Sequence, residues 1–150
     1  RYAQHVYLPS LHSHSLGHLT FAIDTSGSIE DNELQEMLSE IQGIQQVFTP
    51  EKMTIIDCDS IIHQVHEADQ STNILDLKFT GGGGTSFQPV LDYVKEHPTQ
   101  ALIYFTDLEG ESTLSPIDCP IIWICTSEHA PSSIGETIYV NPEHYNCNSN

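Results

Sequence analysis

Basic residues are almost missing from this sequence. Four Lys and Arg stand against 21 Asp and Glu, for a formal net charge of −17. A surface of that sign repels phosphate backbones and anionic lipids, so no nucleic acid and no membrane surface is expected as partner. Long apolar runs are missing too. No stretch approaches the roughly 18 residues of a spanning helix. The opening "RYAQHVYLPS" has neither the apolar core of a signal peptide nor an initiator Met, so the chain reads as a domain excised from a longer protein. Cysteines number four, without CxxC spacing. Cys58, Cys119 and Cys125 lie in or beside apolar, strand-like runs, where Cys behaves as a small hydrophobe. Reduced thiols and a cytoplasmic setting are the expectation.

What is present suits one globular domain. The 150 residues are 38% hydrophobic, with well-separated apolar runs, enough for a single core. The expected layout is a lead-in over 1–15, a domain over 16–140 and a tail over 141–150. "GHLTFAID" reads as a strand ending at Asp24. "SIEDNELQEMLSEIQGIQQVF" carries apolar residues at helical spacing, with Ser28 as the expected N-cap and acidic residues in the first turn. "KMTIIDCD" and "IIHQVHEA" are two strands too close for a parallel crossover, so they form an antiparallel hairpin. A polar loop through "GGGGTSF" leads to a second helix, "SFQPVLDYVKEH", with Pro89 in its first turn. "QALIYFTD", "PIIWICTS" and "ETIYV" complete the strands, and Trp123 reads as core.

Helices that cross between strands predict an α/β fold. The expectation is a Rossmann-like, doubly wound, mostly parallel sheet with one antiparallel edge strand and helices on both faces. Ligands of such sheets bind beyond the carboxyl ends of the strands, near a topological switch point. Asp24 and Asp107 both end strands, and the Gly81–Gly84 run arrives at a helix N-terminus. Three segments therefore converge.

Asp24, Ser26, Ser28, Thr85 and Asp107 are hard oxygen donors. A small hard cation, Mg²⁺ or failing that Mn²⁺ or Ca²⁺, favours such a set, and Mg²⁺ keeps several waters. Each part has a plainer reading. "DTSGS" alone is an ordinary turn or cap, and a glycine run alone is a flexible linker. A phosphate loop lacks its lysine.

The constellation resembles the von Willebrand factor A (VWA) domain with its metal-ion-dependent adhesion site. The matching residues are "DTSGS" after the first strand, the Thr of "GGGGTS" and the Asp of "YFTD". The resemblance implies a VWA-like fold. It further implies that Ser26, Ser28 and Thr85 bind the metal directly, and that Asp24 and Asp107 act mostly through water. A protein partner would present an Asp or Glu carboxylate to the open position. Gly83, Gly84, Ser86 and Glu109 would form the rim. "YLPS", "IDTSGSI", "GGGGTSF" and "YFTDLEG" are most similar to the bacterial VWA-like domain that follows a zinc-metallopeptidase-type domain. No HExxH occurs here. The domain itself is therefore expected to bind rather than catalyse.

The alternative class is an enzyme. "TIIDCDSI" ends a strand with Asp-x-Asp, which resembles the nucleophile motif of haloacid-dehalogenase-type phosphotransferases. Asp57 would attack phosphorus and Asp59 would act as acid and base. That chemistry wants cations on the phosphoryl oxygens, and only Arg1, Lys52, Lys78 and Lys95 exist. The plainer reading makes both hairpin-turn carboxylates. The nine histidines, including His12, His14, His18, His63 and His66, read as solvated rather than as zinc ligands. His63 and His66 are three apart on a strand and point to opposite faces.

Overall fold

A computed structural model of the chain describes residues 17–27, 29–108, 114–125 and 132–139. The lead-in 1–15 and the tail 141–150 lie outside the described residues.

The elements run β1 (His18–Asp24), α1 (Asp31–Phe48), β2 (Lys52–Cys58), β3 (Ile62–Ala68), α2 (Gln88–Glu96), β4 (Ala101–Thr106), β5 (Ile121–Cys125) and β6 (Glu136–Tyr139). A short 3-10 turn, Ile74–Asp76, interrupts the long loop before α2. Among the described residues, six strands form one sheet in the order β3-β2-β1-β4-β5-β6. Only β3 is antiparallel, paired to β2 with a bulge at Asp57/Cys58. The expected doubly wound α/β sheet with one antiparallel edge strand is therefore the observed fold.

Alternation along β1 sorts side chains to two faces. Leu19, Phe21 and Ile23 join Met37, Leu38, Ile41 and Ile44 of α1 in one buried cluster. Ala22 faces the other way and joins Val90, Leu91 and Val94 of α2. Each helix thus buries one apolar stripe against one face of the sheet. Under α2, Trp123 stacks on Tyr104 with centroids 5.0 Å apart, and Phe87 meets both rings edge-on. Such pairs contribute about 0.5–1.5 kcal/mol each beyond area burial. The Trp123 indole N–H donates to the Ile134 carbonyl at 2.8 Å, so the buried ring carries no unmet donor.

One helix boundary differs from expectation. α1 begins at Asp31 with Glu30 as N-cap, not at Ser28. Ile29 N–H donates to the Ser26 carbonyl at 3.0 Å, which keeps the chain in a turn beyond the DTS run. The Glu33 carboxylate then accepts the Glu30 N–H at 3.1 Å, holding one orphan amide of the first turn. Ser28 itself lies outside the described residues.

Candidate functional site

β1 pairs in parallel with β2 on one side and β4 on the other. The chain leaves β1 toward β2 and returns to β4 across it. The crevice between the carboxyl ends of β1 and β4 is therefore the switch point of this sheet. Asp24 ends β1, and Asp107 directly follows β4. Both are buried, Asp24 completely.

Asp24 is held by short polar contacts. Its Oδ1 accepts the Ser26 N–H at 2.9 Å, and its Oδ2 accepts the Thr106 hydroxyl at 2.5 Å. Thr106 Oγ1 in turn accepts the Leu108 N–H at 2.9 Å. Burial pushes the Asp24 carboxyl above the ordinary carboxylate range. Hydrogen bonds from Ser26 and Thr106 oppose that rise, and the negative charge of Asp107 adds to it. Ser26 is buried beside Asp24.

The glycine run lies against this loop. Gly82 N–H donates to the Thr25 carbonyl at 2.7 Å, and Gly27 N–H donates to the Gly83 carbonyl at 2.9 Å. The Thr25 hydroxyl donates to the Thr80 carbonyl at 2.9 Å. A Cβ on Gly81 would sit 2.1 Å from the Thr25 carbonyl oxygen, so only glycine permits this approach. Gly82 takes φ +107°, a conformation that also favours glycine. Thr85 is half-buried at the end of the run, two residues before Phe87, the N-cap of α2.

The structure thus brings Asp24, Ser26 and Asp107 to one end of the sheet, and lays the glycine run that precedes Thr85 on the Asp24–Gly27 loop. Gly83 and Gly84 are exposed, and Ser86 is half-buried. Glu109 lies outside the described residues, as Ser28 does. Among the described residues, no three His, Cys, Asp or Glu side chains converge as a metal cluster. Any cation here would depend on hydroxyls and water as well as on carboxylates.

Asp57 and Asp59 have a different occupation from the nucleophile and acid/base pair of the alternative reading. Asp57 Oδ1 accepts the Gln64 N–H at 2.5 Å and Oδ2 accepts the Thr80 N–H at 2.9 Å. Asp59 Oδ1 accepts the Ile61 N–H at 3.1 Å and lies 2.8 Å from His63 Nε2, while Oδ2 accepts the Gly83 N–H at 3.1 Å. Burial pushes the Asp59 carboxyl up. The Ile61 and Gly83 amides and His63 outweigh that and hold it below the usual range. These carboxylates fasten loops, and nothing in their geometry supports the phosphotransferase. His63 stays exposed on β3, as the sequence suggested, and also reaches Asp59. His66 turns its ring edge toward Phe79 at 5.5 Å.

Cys58 and Cys119 are free thiols, and Cys125 is buried in β5. Cys147 lies outside the described residues. No helix among the described residues is long and apolar enough to cross a membrane.

A doubly wound sheet with serine and aspartate loops at its switch point defines a VWA-like class of domain. Residues 19–141 match the VWA-like domain (DUF2201) family, and the chain belongs to it. It is also 29% identical over 102 residues to an uncharacterized protein of Thermotoga maritima. That alignment takes in 67% of this chain and 25% of the relative, so the chain spans about a quarter of that protein's length.

Proposed function

We propose that this domain binds one divalent cation, Mg²⁺ or Mn²⁺, at the Asp24–Asp107 crevice and uses it to hold a carboxylate of a protein partner. The observation that carries the reading is the juxtaposition of two carboxylates at the switch point. Asp24 is completely buried, and the charge of Asp107 works against its ionisation. A divalent cation offsets both effects at once, because it favours the ionised form of each group. The donor set suits a hard ion. Ser26 and, through the glycine run, Thr85 supply neutral oxygens, and Ser28 would complete the DTSGS set. Asp24 and Asp107 would orient bound waters.

An ion without a directly bound carboxylate stays electrophilic and gains a charge-assisted bond from an incoming Asp or Glu. In this reading the domain is a binding module rather than an enzyme. In a longer protein it would dock a partner for another domain, one of metallopeptidase type in the reading the sequence favours.

Mn²⁺ water-proton relaxation tests both halves. The wild type should give enhanced relaxation from one bound, water-carrying Mn²⁺, and a short Asp-containing peptide should reduce it by displacing water. Thr85→Ala should bind Mn²⁺ more weakly. No enhancement, or equal enhancement in wild type and Asp24→Ala, refutes the site.

A further inference from the structure

Thr85 sits between two attachments to one residue. The Gly83 N–H, two positions before it, donates to Asp59 Oδ2 at 3.1 Å. The Ser86 N–H, one position after it, donates to the Asp59 backbone carbonyl at 2.9 Å. Gly83 also faces the other loop, through Gly27 N–H to its carbonyl at 2.9 Å. Asp59 is itself buried and oriented, by the Ile61 amide and by His63 Nε2 on Oδ1. A Cβ at Gly83 would lie 2.9 Å from Asp59 Oδ2, so an added methyl must displace the carboxylate.

We infer that Asp59, steadied by His63, is a positioning residue that sets the Thr85 segment and, through Gly83, the Asp24–Gly27 loop. The inference deepens the cation-site reading and rests on it for the effect on the metal. The positioning itself does not need the metal. The β2–β3 hairpin becomes the part of the fold that fixes one loop of the site against another. Outer groups that orient ligand-bearing segments typically change metal affinity about 10–100-fold when lost.

Asp59→Asn is the incisive variant. An asparagine offers one carbonyl oxygen, so its NH₂ must face either the Gly83 N–H or the Ile61 N–H and His63 side. One attachment is lost while size is kept. Gly83→Ala removes the same contact from the opposite side, and it keeps the question answerable if Asp59→Asn fails to fold.

Two measurements on the whole chain decide the matter, with near-UV circular dichroism reporting the fold. The first is amide exchange in metal-free protein at Gly27 and Gly83. Both variants should exchange faster at both amides, and the double variant should add little to either single one. The Gly27 amide does not touch Asp59, so a purely local role in the hairpin would leave it unchanged. The second is Mn²⁺ titration, in which each variant should bind about 10-fold or more weakly than wild type. Unchanged Gly27 exchange in a variant whose Gly83 amide exchanges faster overturns the inference. So does wild-type Mn²⁺ affinity in a variant whose Gly83 amide has become exposed. A wild type that binds no Mn²⁺ refutes the cation reading instead, and leaves the exchange comparison to judge the positioning alone.

Discussion

Replacing Gly81 by alanine should separate the two loops of the crevice. The added Cβ would meet the Thr25 carbonyl oxygen at 2.1 Å, Thr25 Oγ1 at 2.4 Å and Thr25 Cβ at 2.5 Å. Two of these are too deep to be relieved by side-chain rotation, because the carbonyl and the Cβ move only with the backbone. Forcing a methyl into such a contact costs about 1–3 kcal/mol. Relief by moving the glycine run strains two hydrogen bonds, Gly82 N–H to the Thr25 carbonyl at 2.7 Å and the Thr25 hydroxyl to the Thr80 carbonyl at 2.9 Å. Each contributes about 0.5–1.5 kcal/mol. The losses overlap, since relief of the clash is what breaks the bonds, so about 2–4 kcal/mol is expected. Urea unfolding at neutral pH measures it. Gly84→Ala is the control. A Cβ there meets only Ser60 Cβ at 4.0 Å, in a conformation open to alanine. That variant should lie within about 0.5 kcal/mol of wild type. Equal midpoints for the two variants would mean that the glycine run does not seat on Thr25, and the described crevice would be wrong.

Other perturbations follow from buried groups. Burial pushes the Cys58 thiol up to about 12, and Cys125 is equally enclosed. Among the three described cysteines, iodoacetamide at pH 8 on native protein should therefore label the half-buried Cys119 first, and peptide mass spectra showing Cys58 labelled as fast would contradict its burial. The Asp59 carboxyl is held below its unfolded value. Its stabilisation is present above the unfolded value, about 3.9, and is lost as pH falls through the lowered native one. Acid titration should accordingly show Asp59→Asn losing less stability across that window than wild type. A parallel curve would remove Asp59 from the acid response.

The fold was legible because its signals are local. Each strand of the sheet announces itself by a short apolar run, and the three-residue gap before β3 leaves no route but an antiparallel hairpin. Asp24 and Asp107 were recognisable as neighbours because strand-ending aspartates in a doubly wound sheet meet at its carboxyl edge. Ser28 misled because it is the preferred cap type, whereas the Ser26–Ile29 turn delays the helix until Glu30. The work of Asp57 and Asp59 was hidden for another reason. Their partners, Thr80 and Gly83, are 23 and 24 residues away in sequence, and backbone amides carry no mark in a sequence. The available signal was indirect. A glycine run with no side chains of its own must find acceptors for its amides, and Asp59 of the Asp-x-Asp supplies one, to Gly83, while Asp57 takes the amide of Thr80 just before the run.

Asp24→Asn divides a cation site from a plain turn, because the two readings give opposite signs. Asparagine keeps an oxygen for the Ser26 N–H and turns its NH₂ toward Thr106 Oγ1, so the local contacts of Asp24 are largely retained. What disappears is a buried negative charge beside Asp107. The native state holds the Asp24 proton more tightly than the unfolded chain does. Its contribution to metal-free stability therefore falls as pH rises from about 3.9 through the raised native value. At pH 7 the metal-free variant should be at least as stable as wild type. Saturating Mg²⁺ should reverse the order. A ligand at 100 times its Kd stabilises the native state by about 2.7 kcal/mol, and only the wild type should gain it. Thermal unfolding of both proteins, in chelator and in Mg²⁺, supplies the four values required. If Asp24 were simply the carboxylate of a turn, the variant would be less stable in chelator and Mg²⁺ would leave the gap unchanged. That outcome would return the Asp24–Gly27 loop to a structural role.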